Sequence, residues 1–336
     1  MAITGGAGFI GSNAAAYFAS RGWHVTCADN FSRAGAEANA QWLREQQITV
    51  VRLDLRNAED ARAFCASNPF DAVLHCAAQV AVTTSVTDPR RDFEDNLLGT
   101  FNLLEGIRQS GRRPRLIYTS TNKVYGGMED LVVELRGGRY QYRDAPFGIG
   151  EERPLDFHSP YGCSKGGADQ YVRDYARIYG LPTLVFRQSC IYGERQFGVE
   201  DQGWVAWFTI AAVLGKPLTL YGDGMQVRDV LYIKDLVRAF ELGFESSLSG
   251  EIFNVGGGPQ NQLSLLELVS ELERLTGKRL SPAQADWRPG DQRVFVCDVR
   301  KMERLLGWRP EVDVPAGIAA LYAWVTANRG LFKLAA

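Results

Sequence analysis

The sequence predicts an α/β protein: a Rossmann-type doubly wound parallel sheet with a smaller C-terminal lobe. Three observations carry this. Short apolar strand-like runs alternate with helical stretches, the first run ends in a glycine-rich turn, and the alternation becomes irregular after Arg187. AIT at 2–4 reads as the first strand, followed by a helix over 9–20. HVTCA (24–28), a helix through Trp42 and TVVRL (49–53) complete a βαβαβ unit. DAVLH (71–75), RLIYT (115–119) and TLVFR (183–187) continue the sheet, with helices near 90–110 and 162–179 between them. Such nearly continuous apolar strands suit a buried parallel sheet with helices on both faces. Beyond them come a Trp/Phe-rich helix over 204–214, a Gly turn at 221–224, and IFNVGGG (252–258), which reads as a strand returning to the sheet. The expected division is therefore 1–186 with a return segment at 232–256, against a lobe of 187–231 and 257–336.

With 336 residues, 46% of them hydrophobic, the chain can bury a sizeable core. A formal net charge of −2, with Lys and Arg scattered rather than striped, supplies no basic field for nucleic acid. No apolar run reaches the roughly 18 residues of a membrane span, and the chain opens directly on a strand, so a cytoplasmic protein is expected. The six cysteines are dispersed and form no CxxC or Cys/His cluster, which reads as buried free thiols. Three histidines, none spaced as ligands on one helix face, leave a metal site little to build on.

TGGAGFIGS (4–12) lies where a strand ends and a helix begins, with Gly5, Gly8 and Gly11 in a GxxGxxG spacing. Gly5 allows the tight turn, Gly8 lets backbone approach a pyrophosphate, and Gly11 permits close packing while the helix N-terminus faces the anion. Asp29, at the end of the second strand, is placed to accept hydrogen bonds from the adenosine ribose hydroxyls, and an acid there repels a 2′-phosphate, so NAD is expected over NADP. Arg33 is the counterweight, serving either a phosphate or the solvent. Asp54 and Leu55, after the third strand, suit a clamp on the adenine edge; Ala77, Ala78 and Gln79, after the fourth, face the cofactor because such sites lie at the carboxyl ends of strands. The cofactor set is completed by Phe9, Ile10, Asn30, Ser32, Asn96, Thr119, Tyr161 and Lys165.

Tyr161 and Lys165 form Y-x-x-x-K at the start of a helix, on one face. A tyrosine with a pKa of about 10 needs roughly 4 kcal/mol of phenolate stabilisation to act near pH 7, which a lysine cation and an oxidised nicotinamide ring can supply. The phenolate then takes a hydroxyl proton while the carbon gives its hydride to the cofactor. Thr121, in STNKVYG at the end of the fifth strand, is placed to hydrogen-bond the reacting oxygen. A non-catalytic NAD-binding module would be expected to have lost these residues, yet Thr121, Tyr161 and Lys165 all stand in position.

TGGAGFIGS, Asp29, STNKVYG and YGCSK resemble the extended short-chain dehydrogenase/reductases, the nucleotide-sugar epimerases and dehydratases, across nearly the whole chain. Within that family DNFSRAGAEANAQWL (29–43), the segments 155–181 and 186–208, and the long insertion between Gly126 and Glu151 are similar to the CDP-hexose 2-epimerase branch. The resemblance implies oxidation at carbon 2 by bound NAD, turning of the keto sugar, and hydride return to its other face. A UDP-hexose 4-epimerase, or another NAD-retaining nucleotide-sugar enzyme, is the alternative, since it needs the same tyrosine and lysine. The 4,6-dehydratases of the family carry Asp-Glu after the threonine; here Asn122 and Lys123 stand there, and an amide and a cation cannot run that elimination. Asn122 is left to orient sugar or support its loop, Lys123 to be structural or solvated.

For a nucleoside diphosphate the substrate-binding lobe offers Arg228 in GDGMQVRD and Arg288 in WRPGDQR, which match the family's diphosphate positions. Ser189, Arg195, Gln196 and Gln202 are expected near sugar or nucleotide. Trp204, Trp207 and Phe208 have helical spacing and read as core; Tyr192 either stacks on a base or seals the lobe. In the insertion, Arg136, Arg139, Arg143, Tyr140 and Tyr142 suit a lid over an anion or a solvated loop. The helices near 90–110 and 162–179 resemble those through which the family pairs, implying a homodimer or homotetramer.

Overall fold

Ala72–His75 and Thr183–Gln188 are buried at every position, which strands achieve when helices cover both faces of their sheet. The computed structural model describes residues 1–288 and 291–332. In chain order the strands are β1 (Ala2–Thr4), β2 (Thr26–Asp29), β3 (Thr49–Arg52), β4 (Ala72–His75), β5 (Arg115–Thr121), β6 (Val133–Arg136), β7 (Arg139–Tyr142), β8 (Thr183–Gln188), β9 (Cys190–Tyr192), β10 (Thr219–Tyr221), β11 (Val227–Tyr232), β12 (Glu251–Val255), β13 (Gln262–Ser264), β14 (Ala283–Ala285) and β15 (Val294–Phe295). Seven of them form a parallel sheet in the order β12-β8-β5-β4-β1-β2-β3. The connection reverses direction between β1 and β4, and a doubly wound sheet opens its ligand crevice at such a switch point.

The helices are α1 (Phe9–Ser20), α2 (Ala36–Glu45), α3 (Ala58–Ser67), α4 (Val82–Thr87), α5 (Pro89–Phe93), α6 (Gly99–Gln109), α7 (Ser159–Tyr179), α8 (Trp204–Leu214), α9 (Ile233–Glu245), α10 (Leu265–Thr276), α11 (Arg300–Leu306) and α12 (Val314–Ala327). Where the sequence suggests one helix over 90–110, α5 and α6 are joined by a π-helical turn, Glu94–Leu98. Such turns recur at functional sites because the extra residue re-aims a side chain; here the turn carries the buried Asn96. Helix α7 begins at Ser159-Pro160, where the fixed proline φ suits a first turn, and stops at Gly180 with φ +64°. Its buried stripe runs Tyr161, Ser164, Lys165, Ala168, Asp169, Val172 and Tyr175, at the helical period.

The chain divides into two units: Met1–Gly126, Phe157–Arg187 and Val237–Phe253 form the first; Gly127–Asp156, Gln188–Leu236 and Asn254–Ala336 the second. Every expected boundary shifts: 127–156 leaves the first domain, Arg187 joins it, and the return segment narrows to 237–253. The insertion moves because the hairpin β6–β7, which turns at Gly137 and Gly138 with positive φ, is stitched into the second unit. Tyr140 N donates to Met225 O at 3.1 Å and Tyr142 Oη to Val294 O at 2.8 Å. Strand β11 is the spine of that unit, antiparallel to β13 and parallel to β15 and β9. Among the described residues no helix is long and apolar enough to cross a membrane.

Candidate functional site

The glycine turn follows β1 directly. Gly5 has φ +66°, and a Cβ there would stand 2.6 Å from Ala77 N, so the turn must pass close beneath the segment after β4. A Cβ at Gly11 would overlap the Gly5 carbonyl oxygen, whereas at Gly8 it would meet only that oxygen, at 3.1 Å. Helix α1 has no side-chain cap at Gly8 and no acid in its first turn, which leaves its amide end available to an anion. Phe9 and Ile10, half-buried, open the helix.

Asp29 closes β2 and ties the turn to it, accepting from Ala7 N at 3.0 Å and Phe31 N at 2.8 Å. Burial raises its pKa while these amides oppose the rise. Asn30 accepts from Ser32 N at 3.0 Å, and Arg33 is exposed. Asp54 is held by Arg56 at 2.6 Å, which lowers its pKa, while Leu55 is buried in the core rather than at an open edge. Ala77 and Ala78 are half-buried. Gln79 N donates to Asn96 Oδ1 at 2.8 Å, so the loop after β4 and the π-helical turn form one unit.

Thr121, Tyr161 and Lys165 come together. Thr121 faces the Tyr161 phenol and favours its ionised form, and Lys123 N donates to Thr121 Oγ1 at 3.2 Å, anchoring the threonine at a short 3₁₀ turn, Asn122–Tyr125. Lys165 Nζ donates to Thr119 O at 2.6 Å and lies 4.3 Å from the Tyr118 ring centroid. Thr119 Oγ1 in turn donates to His75 O at 3.0 Å. Burial pushes the Tyr161 phenol up to about 12; the Thr121 hydrogen bond and Arg33 oppose this, and Asp92 adds to it. Burial also lowers Lys165 to about 7, against the pull of Cys76, Asp169 and Asp92. The protein's own groups therefore do not produce the low tyrosine pKa that the YxxxK spacing suggests, because desolvation outweighs the charges that face the phenol. Asn122 is buried and accepts from Thr121 Oγ1 at 3.3 Å, a loop-supporting contact; Lys123 is half-buried.

Sequence reasoning missed the polar residues beneath this centre. Arg187 and Asp169, both fully buried, pair at 2.9 Å through two hydrogen bonds, and Ser120 Oγ donates to Asp169 at 2.8 Å. His75 bridges Thr4 and Thr100 at 2.6 and 2.9 Å, and burial drives its pKa down to about 3, so it is neutral. The signal for Asp169 was its place one turn beyond Lys165. Nothing local marked Arg187 or His75 as buried polar groups.

In the second unit, Arg228 pairs with Asp291 at 2.6 Å, while Arg288 pairs with Asp201 at 3.1 Å and lies 3.9 Å from the Tyr221 ring centroid. Each guanidinium already has an acidic partner that an incoming phosphate must share or displace. Pro289 and Gly290 of the Arg288 segment, and 333–336 of the expected lobe, lie outside the described residues. Gln196 is buried and donates to Ile191 O at 3.3 Å; Gln202 exchanges backbone hydrogen bonds with Val199; Arg195 lies 5.9 Å from the Trp324 ring centroid. Ser189 Oγ donates to the buried carboxylate of Asp229. Tyr192 is buried and packs edge-on to Tyr232, so it seals the interior of this unit. Phe208 is core, but Trp204 and Trp207 are only half-buried. The arginines of the insertion are spoken for: Arg136 pairs with Glu134, Arg139 with Glu267 and Arg143 with Asp144. The cysteines depart from expectation too, with Cys163 exposed and Cys76 and Cys190 half-buried.

Residues 1–256 match the family described as the NAD dependent epimerase/dehydratase family. A CDP-paratose 2-epimerase of Salmonella typhi is 45% identical over 97% of this chain and 99% of its own. Two solved structures are similar throughout: the UDP-glucose 4-epimerase of Thermotoga maritima with UDP-glucose (TM-score 0.86, 30% identity, 98% and 99% of the two chains), and that of Thermus thermophilus in complex with NAD (TM-score 0.82, 33% identity, 97% and 99%).

Proposed function

Because the chain belongs to the NAD-dependent epimerase/dehydratase family, we propose that it is a nucleotide-sugar 2-epimerase acting on a CDP-hexose of the paratose/tyvelose kind. The observation that carries the reading is Thr121 facing the buried Tyr161 phenol with Lys165 one turn along α7, beside Asn122 and Lys123 where elimination would require an acid and a base. The near full-length likeness to a CDP-paratose 2-epimerase supports the choice of sugar and carbon.

The residues present fit NAD. The open face above Gly8 and the uncapped end of α1 suit a pyrophosphate, and the buried Asp29 suits a ribose diol. Gly5, Gly8, Gly11, Asp29, Asn30 and Ser32, with Ala77–Gln79, Asn96 and Thr119, would hold it. Bound NAD supplies a hydride acceptor that returns the hydride, and a positive charge. Tyr161 takes the proton of the sugar's 2-hydroxyl, Thr121 hydrogen-bonds the reacting oxygen, and Lys165, anchored on Thr119 O, keeps its ammonium at the same helical face. In the return step Tyr161 gives the proton back after the 2-keto sugar has turned. The reading assigns the diphosphate to Arg228 and Arg288 and the sugar or nucleotide to Ser189, Arg195, Gln196 and Gln202. A homodimer formed through α6 and α7 is part of the same reading, since Phe101 and Tyr171 pack edge-on at 5.7 Å and both stay exposed.

Incubating the NAD-loaded enzyme with CDP-paratose in deuterated water and following carbon 2 by NMR tests the reading. Inversion at carbon 2 without solvent deuterium at that carbon is expected. Turnover of UDP-glucose at carbon 4 instead would overturn the assignment of both nucleotide and position.

A further inference from the structure

Asp92, on α5, is fully buried, and its carboxylate is met by neutral donors from three parts of the first unit. Ser164 Oγ on α7 donates to Oδ2 at 2.5 Å, while Gln79 Nε2 in the loop after β4 and Asn96 Nδ2 in the π-helical turn donate to Oδ1 at 2.8 and 3.1 Å. Asn96 Nδ2 also reaches Ser164 Oγ at 3.0 Å. Ser164 lies between Tyr161 and Lys165 on α7, and its hydroxyl contacts Tyr161 O at 3.2 Å. A buried acid held by three neutral side chains is unusual, because desolvation of a carboxylate normally calls for a paired cation. The same carboxylate is felt by both reaction-centre groups, raising Tyr161 and Lys165 alike.

We propose that Asp92 is a positioning residue of the reaction centre: through Ser164 it locks the Tyr161–Lys165 turn to the Gln79–Asn96 cofactor loop and sets a carboxylate on the buried side of that turn. The inference rests on Tyr161 being the proton acceptor. The groups that face this tyrosine are Thr121 from β5, Arg33 from the loop after β2, Asp92 from α5 and Tyr118 from β5. Those that face Lys165 are Cys76 and His75 at the end of β4, and Asp169 and Asp92. Of these, Asp92 and Asp169 are the carboxylates, and Asp169 is paired with Arg187 at 2.9 Å; burial raises the Asp92 pKa while Ser164, Gln79 and Lys165 oppose the rise. Among the described residues Asp92 is therefore the carboxylate near the phenol that no salt bridge holds.

The test is a pH titration of the NAD-loaded protein, reading tyrosinate absorbance near 295 nm as the difference from the Tyr161→Phe protein made in the same background. Asp92→Asn removes the charge and keeps the size; the Tyr161 titration, and the acid limb of kcat/KM, should move to lower pH by about one unit. Ser164→Ala keeps the charge and cuts the tether, so kcat should fall about tenfold or more with KM for the sugar and the titration midpoint little changed. If Asp92→Asn fails to fold, Asp92→Glu carries the test, with the acid limb retained near the wild-type pH and kcat reduced. An Asp92→Asn titration and acid limb superimposable on wild type would overturn the inference. Retained turnover in Tyr161→Phe would instead overturn the catalytic reading beneath it, so the two failures are distinguishable.

Discussion

Lys165 shows what burial costs a cation. Its Nζ has one carbonyl, at 2.6 Å, and one aromatic face to replace water, and burial lowers its pKa from 10.5 to about 7. The sign of the linked stability follows. Below about 7 both folded and unfolded chains carry the proton and the folded state bears the full desolvation penalty; between about 7 and 10.5 the unfolded chain binds a proton that the folded chain lacks, so folding stability from this residue increases as pH rises. Replacing Lys165 by Met, which fills similar volume without charge, should raise the melting temperature at pH 6 by about 5 °C or more. The gap should shrink steadily toward pH 10. Thermal unfolding followed by circular dichroism at pH 6, 8 and 10 checks this, and a gap independent of pH would show that packing, not ionisation, sets the cost. The same reasoning explains why Tyr161 sits near 12 from protein groups alone: it is buried beside an acid, and the Arg33 charge that favours the phenolate does not offset the burial. In the proposed reaction the tyrosine would become a competent base only once the cofactor's positive charge stands beside it, which would couple reactivity to loading.

At the level of single elements, the β1–α1 turn separates two uses of glycine. Gly11 is needed for packing, because any Cβ would run into the Gly5 carbonyl, and Gly8 for approach, because its Cβ would meet only that carbonyl at 3.1 Å. Gly8→Ala should accordingly fold with a melting temperature within a few degrees of wild type, yet lose NAD affinity by about tenfold or more. Gly11→Ala should lower stability itself. Calorimetry of NAD binding alongside thermal melts distinguishes them; equal effects on folding at both positions would contradict the division. These glycines were readable from the sequence because a strand, a turn and a helix in register leave few other uses for the pattern, and Y-x-x-x-K was readable because one helical turn fixes the spacing. The π-helical turn was not, since EDNLL continues the helical period through it and only the inward aim of Asn96 betrays the extra residue. Asp92, Ser164 and Arg187 were equally silent: each is a polar residue of ordinary helix or strand composition, and its burial depends on partners as distant as 18 and 72 residues along the chain. The insertion misled for a related reason. Its Arg/Tyr composition fits a lid, but Arg139 and Tyr140 meet Glu267 and Asp223, partners that no local pattern announces.

On the scale of the whole molecule, the first unit leaves an apolar helical face uncovered within the single chain. Phe93 on α5 is 48% exposed, Phe101 on α6 37%, and Tyr171, Ile178 and Tyr179 on α7 46%, 65% and 45%. Phe101 packs against the exposed Tyr171, and Tyr179 against the buried Tyr175, so aromatic surface of α6 and α7 meets on this face. A monomer bears such a patch at the expense of solubility, and a second copy presenting the same face would bury it in an isologous contact. The face is carried by the two helices that also hold the site: α7 bears Tyr161 and Lys165 in its first two turns, and α6 continues from the turn bearing Asn96. Dimerisation would stiffen those helices from outside while the Asp92 network braces them from inside. Phe101→Glu with Ile178→Glu places charge on that face without touching a buried group. Light scattering coupled to gel filtration should give a dimer or higher assembly for wild type and a monomer for the double variant. Turnover should fall as the outer faces of α6 and α7 lose support, while NAD affinity stays within severalfold, because the glycine turn lies on α1. A wild-type chain that runs as a monomer at micromolar concentration would remove the partner from this account and leave the patch to another ligand.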